Sequence, residues 1–226
     1  MAEGLALGAA LCEGGAARNL LAMASSHFCA AERQFRTPLS YGAVRTPTAQ
    51  WTATAAGCCL LQPQGEGVGI AAATFGRVQD YQVKDINNMG AAMAPAAAST
   101  LLHYFKDTGT EPQEFDCIYT GDLGQVGSQL LRELLAAEGL LIKNHVDCGC
   151  ILFDANEQSV KSGGSGPGCC AAVLCGHILP RLRRGSQKRV LFTATGALMS
   201  QTTFLQKETI PAVAHLVELR APEKEK

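Results

Sequence analysis

The segment SSHFCAAERQFR, residues 25–36, holds the side chains best suited to bind an acidic small molecule. Its candidate ligand-binding residues are His27, Arg33, Gln34 and Arg36. Guanidinium groups bind planar carboxylates through paired hydrogen bonds, and long loops host binding sites disproportionately often. The same arginines could instead fix the loop through backbone carbonyls and Glu32. The sequence leaves both interpretations open.

Two further loops could contribute to a pocket. Asp122 in TGDLG follows a short predicted strand and could act as a base, although an Asp before a helix more often belongs to the turn or cap. The stretch GGSGPG, with Gly164, Ser165 and Gly166, runs into a predicted helix whose free N–H groups could receive an anion. It lacks the Lys-Ser/Thr pair of a phosphate-binding loop, so tight packing of the helix on a sheet is the favoured interpretation.

The spacing of cysteines and histidines gives little support for nucleophilic or metal chemistry. Cys29 lies two residues from His27, but closeness in sequence does not create the geometry that activates a thiol. The run HVDCGC places four potential metal ligands within residues 145–150, yet zinc sites usually need a second, distant pair. We therefore expect no catalytic residue, no metal and no other cofactor, and we expect residues 148–153 to form a strand with buried cysteines.

The composition is that of a folded chain with little net charge. Of 226 residues, 47% are hydrophobic, and 19 basic residues nearly balance 20 acidic ones. This balance gives no overall field that would attract nucleic acid, so we expect no nucleic-acid partner. The 24 Gly and the frequent Ala favour a layered α/β fold in which helices pack closely on sheets.

The N-terminus and the ten cysteines favour a reducing, cytoplasmic compartment. The chain begins MAEGLALGAALCEGG, without the basic region of a secretory signal. Several cysteines lie in apolar runs such as CCAAVLC, where Cys behaves as a small hydrophobic residue. The apolar stretch 169–179 is shorter than the roughly 20 residues of a spanning helix, so any membrane association would be peripheral.

The hydrophobic patterns predict helices and strands throughout the chain. In the first part we expect a helix at 2–12, a strand buried on both faces at 19–24, a long loop at 28–50, and a hairpin of strands 51–62 and 68–75. In the second part we expect helices at 91–105, 126–138 and 169–184, and strands at 116–119, 148–153, 189–195 and 212–219.

The order helix, glycine, basic residue and strand occurs twice, which favours an internal repeat. We divide the chain into the remainder of an N-terminal half at 1–89, a C-terminal half at 90–220 and a charged tail at 221–226. Because the first unit begins with its helix already under way, we expect the first half to be incomplete.

Five motifs connect this chain to a known family. They are SSHFCAAERQFRTPLSYGAVRTPTAQWTATAAG, TGDLGQVGSQLL, DCGCILFD, GGSGPGCCAAVLCGHILPRLRRG and RVLFTATGALMSQTTFLQKETIPAVAHLVEL. Together they resemble the stage V sporulation protein AD family, thiolase-like proteins of spore-forming bacteria. The resemblance extends over essentially the whole chain.

The resemblance implies a thiolase-like fold, in which two βαβαβαββ halves form αβαβα layers and two copies usually form a dimer. It also implies binding of dipicolinic acid, a small planar pyridine dicarboxylate, and a role in its uptake during sporulation. In this role the protein would be a cytoplasmic component peripheral to the forespore inner membrane, with the other components of a channel complex as partners. The segment with His27 and its arginines is compatible with this ligand.

By the same resemblance, the acyl-transfer residues of thiolase-fold enzymes are absent. The nucleophilic cysteine of the family is expected in a Cys-Ser-Thr sequence before the position of Met1, so we expect an N-terminal truncation. Where condensing enzymes carry a histidine, this chain has Gly121 and Asp122, and where thiolases carry a second cysteine it has ATGAL. The resemblance thus implies a non-catalytic binding protein. A thiolase-like acyltransferase and a non-functional fragment are the alternatives.

Overall fold

A computed structural model describes residues 1–35 and 44–223. Its helices are α1 (Ala2–Glu13), α2 (Phe28–Phe35), α3 (Met89–Thr108), α4 (Gly124–Ala137), α5 (Cys148–Leu152), α6 (Pro167–Val173), α7 (Leu179–Arg183) and α8 (Gln201–Leu205). Its strands are β1 (Leu20–Ser26), β2 (Trp51–Thr52), β3 (Ala55–Leu61), β4 (Gly69–Thr74), β5 (Cys117–Thr120), β6 (His145–Asp147), β7 (Gly164–Ser165), β8 (Arg189–Ala197) and β9 (Ala212–Arg220).

Five strands form the main sheet in the order β4-β9-β8-β5-β6. Strand β5 runs parallel to β6 and β8, whereas β9 runs antiparallel to β8 and β4. Two smaller pairs are the antiparallel β1–β3 sheet and the parallel β2–β7 sheet. The predicted hairpin of 51–62 with 68–75 is wrong, because β3 pairs with β1 while β4 joins the main sheet through β9.

The main sheet separates two hydrophobic clusters because successive side chains of a strand point to opposite faces. On β8, Leu191 packs with residues of α3 and α4, whereas Val190 and Phe192 pack with α1 and the helix that contains α6 and α7. The β1–β3 sheet contacts the other side of α1 and α6. The described residues thus form four layers, α3 and α4, the main sheet, α1 and α6–α7, and the β1–β3 sheet, and the predicted α/β class is confirmed.

Helix α3 extends the predicted segment 91–105 at both ends. The Asn88 side chain accepts a hydrogen bond from the Ala91 backbone N–H at 3.2 Å, which caps the first turn. Gly109 ends the helix with a φ of 64°, a conformation that glycine adopts without steric cost. Although α3 has 20 residues, neither it nor any other helix in ranges 1–35 and 44–223 is long and apolar enough to cross a membrane.

The predicted strand at 148–153 is wrong. The strand in this region is β6, which begins three residues before the predicted strand and ends at Asp147. Residues 148–152 form helix α5. The physical reason is the Asp147 side chain, which accepts a hydrogen bond from the Gly149 backbone N–H at 2.9 Å and caps α5.

Two predictions for the first part of the chain also need correction. The segment predicted as a loop at 28–50 contains α2. Strand β1 is not buried on both faces, because Leu21 is 60% and Met23 is 69% exposed. In the described residues the β1–β3 sheet is covered only on the face that packs on α1 and α6.

The predicted helix at 169–184 consists of three pieces. A π-helical turn, Leu174–Ile178, joins α6 to α7, which has Pro180 in its first turn. The division into halves at residue 89 stays a prediction. Strand β4 lies before that position and pairs with β9, which lies after it.

Candidate functional site

A pocket of about 400 Å³ lies where the carboxyl ends of β1 and β8, the loop after β5 and the start of α6 meet. Its volume is within the range of small-molecule sites, roughly 300–1,000 Å³. Its polar lining residues are Ser26, Gln50, Thr52, Asp122, Ser165 and Thr195. Its larger apolar lining residues are Met1, Ile86, Met89, Met93 and Met199. The pocket thus combines apolar walls with one polar end.

Asp122 is the titratable side chain of the polar end and is 8% exposed. Its carboxylate accepts hydrogen bonds from the Gly166 backbone N–H at 2.8 Å and the Thr195 hydroxyl at 2.9 Å. Burial and the nearby Asp147 raise the pKa of Asp122 to about 6, although the two hydrogen bonds oppose the increase. A carboxyl group with this pKa can take up a proton close to neutral pH and then donate a hydrogen bond to an anion.

Asp147 lies behind Asp122 and has a structural role. Its carboxylate accepts hydrogen bonds from the backbone N–H groups of Leu123 and Gly124 at 2.9 Å, in addition to the one from Gly149. Burial raises the pKa of Asp147 to about 6, while these hydrogen bonds and one from Thr120 oppose the increase. Asp147, and not Asp122, therefore supplies the carboxylate at the start of α4.

Two of the potential metal ligands of the run 145–150, His145 and Asp147, are connected by hydrogen bonds through Thr120. The Thr120 hydroxyl donates to Asp147 at 2.6 Å, so it can only accept from the Nε2 of His145, 2.8 Å away. Burial lowers the pKa of His145 to about 4, and Arg132 contributes to the decrease. Among the described residues, no cluster of three or more His, Cys, Asp or Glu side chains could hold a metal ion.

Gln50 and Ser26 connect the walls of the pocket. The Gln50 amide donates hydrogen bonds to the carbonyl oxygens of Asp122 at 2.5 Å and Gly164 at 3.2 Å. The Ser26 hydroxyl donates to the Ala53 carbonyl at 2.7 Å and accepts from the Gly168 backbone N–H at 3.0 Å. These contacts fix the end of β1 and the segment before β2 against the start of α6.

An arginine and two aromatic rings support the segment between α2 and β2. The rings of Phe28 and Trp51 stack with their centroids 4.6 Å apart. The Arg45 guanidinium lies 4.4 Å from the Trp51 ring centroid and donates a hydrogen bond to the Gln50 carbonyl at 3.1 Å. This stack holds Gln50 in position at the edge of the pocket, a role for Arg45 that the sequence pattern does not predict.

The cysteine of the pocket is Cys170, in α6. Its thiol donates to the Pro167 carbonyl at 3.4 Å, and burial together with Asp122 raises its pKa to about 12. A thiol with this pKa stays protonated at neutral pH, whereas the nucleophile is the thiolate.

The predicted site residues fall into three groups. Asp122, Ser165 and Gly166 line the pocket, and Gly164 lies beside it in β7. Arg33 and Gln34 belong to α2, whose Ala31 lines the pocket. His27 is exposed at the start of α2, and Arg36 lies outside the described residues.

Sequence reasoning missed several residues of the site. Gln50 and Thr195 lie in the stretches TAQWT and TATGAL, which carried the family resemblance but have no spacing that predicts a contact with Asp122. The methionines of the pocket come from three distant segments, the N-terminus, α3 and the loop after β8, so only the fold brings them together.

The layers and the pocket at the strand ends define a protein of the thiolase-like α/β class. Among solved structures, 3-oxoacyl-[acyl-carrier-protein] synthase III from Aquifex aeolicus VF5 matches 96% of this chain over 63% of its own, with a TM-score of 0.55 and 13% identity. The synthase III of Pseudomonas aeruginosa PAO1 matches 98% of this chain over 64% of its own, with a TM-score of 0.55 and 14% identity. At these identities the likeness concerns the fold, and the predicted thiolase-like fold is confirmed.

The sequence then identifies the family. Residues 1–220 match the family model of stage V sporulation protein AD. The chain is 43% identical over 214 residues to the stage V sporulation protein AD of Bacillus subtilis (strain 168), which is 94% of this chain and 63% of that protein. The chain belongs to the stage V sporulation protein AD family, a family of sporulation proteins, and spans 63% of the length of this relative.

Proposed function

We propose that the chain is a non-catalytic binding protein for dipicolinic acid that acts in dipicolinate uptake during sporulation. The observation that carries the proposal is the pocket at Asp122, in a chain whose family is one of sporulation proteins. The pocket has the volume of a small-molecule site, and it lies at the carboxyl ends of the strands, where open α/β sheets collect their ligands.

The lining of the pocket suits a planar ring that carries carboxylates. Met89 and Met93 offer apolar, adaptable surface to an aromatic ring. Helix α2 forms part of the wall through Ala31 and contains Arg33, whose positive charge would attract a dianion. Asp122 would accommodate a ligand carboxylate by taking up a proton, because its pKa of about 6 is already close to neutral pH. Binding of the anion would raise this pKa further.

The state of the pocket thiol supports binding over catalysis. The thiol of Cys170 has its pKa raised to about 12, and among the described residues that line the pocket none is a histidine that could activate it. Acyl transfer through a cysteine needs an adjacent base or a lowered pKa. We therefore propose that the protein, unlike the condensing enzymes that share its fold, does not transfer acyl groups.

The proposed cellular setting follows from the family resemblance. We propose that the protein acts at the cytoplasmic face of the forespore inner membrane, peripheral to the bilayer. Its partners there would be the membrane components of the same channel complex and, in the full-length protein, a second copy. Co-purification with those membrane components from sporulating cells would test this setting, and recovery only in the soluble fraction without them would contradict it.

Calorimetric titration with dipicolinate tests the ligand and the site together. We expect saturable binding with one ligand per chain, and affinity reduced about tenfold or more in Arg33→Ala through the loss of a positive charge that attracts the dianion. His27→Ala tests the adjoining position at the start of α2. Arg18→Ala is the matched control, because Arg18 is an exposed arginine before β1, at the end of that strand opposite to the pocket.

Ligand analogues sharpen the same experiment. Picolinate, which retains the ring and only one carboxylate, should bind more weakly than dipicolinate. Unchanged affinity in both Arg33→Ala and His27→Ala would overturn the proposed site, and equal affinity for the two ligands would overturn recognition of a dicarboxylate. Turnover of acyl-CoA by the chain would favour the alternative, a thiolase-like acyltransferase.

A further inference from the structure

Two half-buried cysteines lie in contact on the side of the central helix layer that faces the β1–β3 sheet. The Sγ atoms of Cys59, on β3, and Cys175, in the π-helical turn, are 3.9 Å apart. The Cys175 thiol also points to the Cys58 carbonyl oxygen, with a distance of 3.7 Å. The two cysteines are 116 positions apart in sequence, so the contact joins two distant parts of the chain.

We propose that Cys59 and Cys175 are a site of reversible oxidation, at which a peroxide converts the two thiols into a disulfide. The sulfur atoms need to approach by about 2 Å to reach the S–S bond length of about 2.05 Å. Rotation of the side chains supplies part of this approach. The π-helical turn supplies the rest, because such turns interrupt the regular hydrogen bonding of a helix and adapt locally.

The surroundings assign different roles to the two sulfur atoms. Burial and the neighbouring Cys175 thiol raise the pKa of Cys59 to about 12, so Cys59 remains protonated at neutral pH. Cys175 therefore reacts with the peroxide first. Its sulfur forms a bond to one peroxide oxygen, the O–O bond breaks, and the departing oxygen takes up the proton of the Cys175 thiol, so the products are a sulfenic acid on Cys175 and one molecule of water.

The second step closes the disulfide. The hydroxyl oxygen of the sulfenic acid takes the proton of the Cys59 thiol, the Cys59 sulfur then attacks the sulfenyl sulfur of Cys175 as a thiolate, and the S–O bond breaks to release a second water. In total, two thiols and one hydrogen peroxide give one disulfide and two water molecules. A dithiol reductant reverses the reaction by exchange.

The disulfide would connect the strand that supports one wall of the pocket to the helix that forms another wall. Strand β3 pairs with β1, whose last residue Ser26 lines the pocket, and Cys175 belongs to the same continuous helix as Cys170. A covalent link between β3 and this helix would restrict movement of the two walls relative to each other. It would also close a long loop of the unfolded chain, which stabilises the folded state.

The test uses purified chain treated with a small excess of hydrogen peroxide and then with an alkylating agent. We expect a disulfide between the tryptic peptides 46–77 and 162–181, found by mass spectrometry without reduction. We also expect a melting temperature higher by about 5–15 °C, which dithiothreitol returns to the starting value. Cys59→Ser and Cys175→Ser should each abolish both effects.

Cys58→Ser is the matched control for the adjacent position. Cys58 is exposed and, on a strand, its side chain points to the opposite face from Cys59. The variant should retain the disulfide, and it leaves Cys59 as the only cysteine of peptide 46–77. Complete alkylation of both thiols after peroxide treatment, or a disulfide that persists in Cys175→Ser, would overturn the proposal.

Discussion

Replacement of Asp122 by Asn should stabilise the protein above about pH 6 and have little effect at low pH. The Asn side chain has the shape of Asp, its Oδ1 can accept from the Gly166 N–H, and its Nδ2 can donate to the Thr195 hydroxyl. The wild-type pKa is raised from 3.8 to about 6, and one pKa unit corresponds to about 1.4 kcal/mol. The ionised Asp122 therefore costs about 3 kcal/mol of folding stability above this pKa.

The sign of the pH dependence follows from which state holds the proton. Because the folded-state pKa is raised, the folded protein binds a proton more tightly than the unfolded chain, and stability falls as the pH rises from about 4 to about 6. The amide of the Asp122→Asn variant does not titrate, so the stability difference between variant and wild type should grow by about 3 kcal/mol over this interval.

Urea unfolding of wild type and variant at a series of pH values measures this difference directly. Asp147→Asn is the matched control, because Asp147 accepts hydrogen bonds from three backbone N–H groups, and an amide nitrogen in place of one oxygen cannot accept those made to that oxygen. Because the pKa of Asp147 is also raised to about 6, both Asn variants share the pH dependence, but the lost hydrogen bonds should make Asp147→Asn less stable than Asp122→Asn at every pH. A stability difference for Asp122→Asn that does not change with pH, or a less stable variant at about pH 8, would refute the reasoning.

Three further substitutions test the account elsewhere in the fold. Glu218→Gln should lower the free energy of unfolding in urea by about 3 kcal/mol, because Glu218 is 2% exposed and accepts hydrogen bonds from two arginines and a tyrosine. An unchanged unfolding midpoint would contradict this. Gly168→Ala should lower the melting temperature, since a Cβ there would lie 2.7 Å from the Ser26 backbone nitrogen, while Gly176→Ala, with open space, should not. Arg45→Ala should shift the fluorescence spectrum of Trp51, the single tryptophan, and lower the free energy of unfolding by about 1 kcal/mol through the lost cation–π contact. An unchanged spectrum would exclude that contact in solution.

The long, regular elements of this fold could be predicted from the sequence. Strands β8 and β9 lie within two residues of their predicted ranges because they are buried, apolar runs bounded by polar or turn residues. Helix α4 lies within two residues of its range because its apolar positions repeat with helical spacing. In these elements, the local pattern and the tertiary environment favour the same structure.

The errors occur where tertiary contacts override the local pattern. Residues 148–152 look like a strand by composition, but the Asp147 cap turns them into α5. Strands β3 and β4 are adjacent in sequence with a turn between them, yet their partners β1 and β9 belong to different sheets. No local signal distinguishes this arrangement from a hairpin.

Only part of the candidate site could be predicted, because some of its residues carry a local signal in the sequence and others are brought together by tertiary contacts. Asp122 and the glycine-rich loop stood out through residue type and position after a strand or before a helix. Gln50 and Thr195 contribute through contacts between residues 72 and 73 positions apart, which one sequence does not reveal.

The most direct test of the central claim is calorimetric titration of dipicolinate into wild-type protein and Asp122→Asn at neutral pH. The account predicts saturable binding to both, with affinity about tenfold higher in the variant, because removal of one ionised carboxylate relieves a repulsion of about 1.4 kcal/mol. Saturable binding that is unchanged in the variant would place the ligand away from Asp122. The absence of saturable binding to both proteins would contradict the claim that this pocket binds dipicolinate.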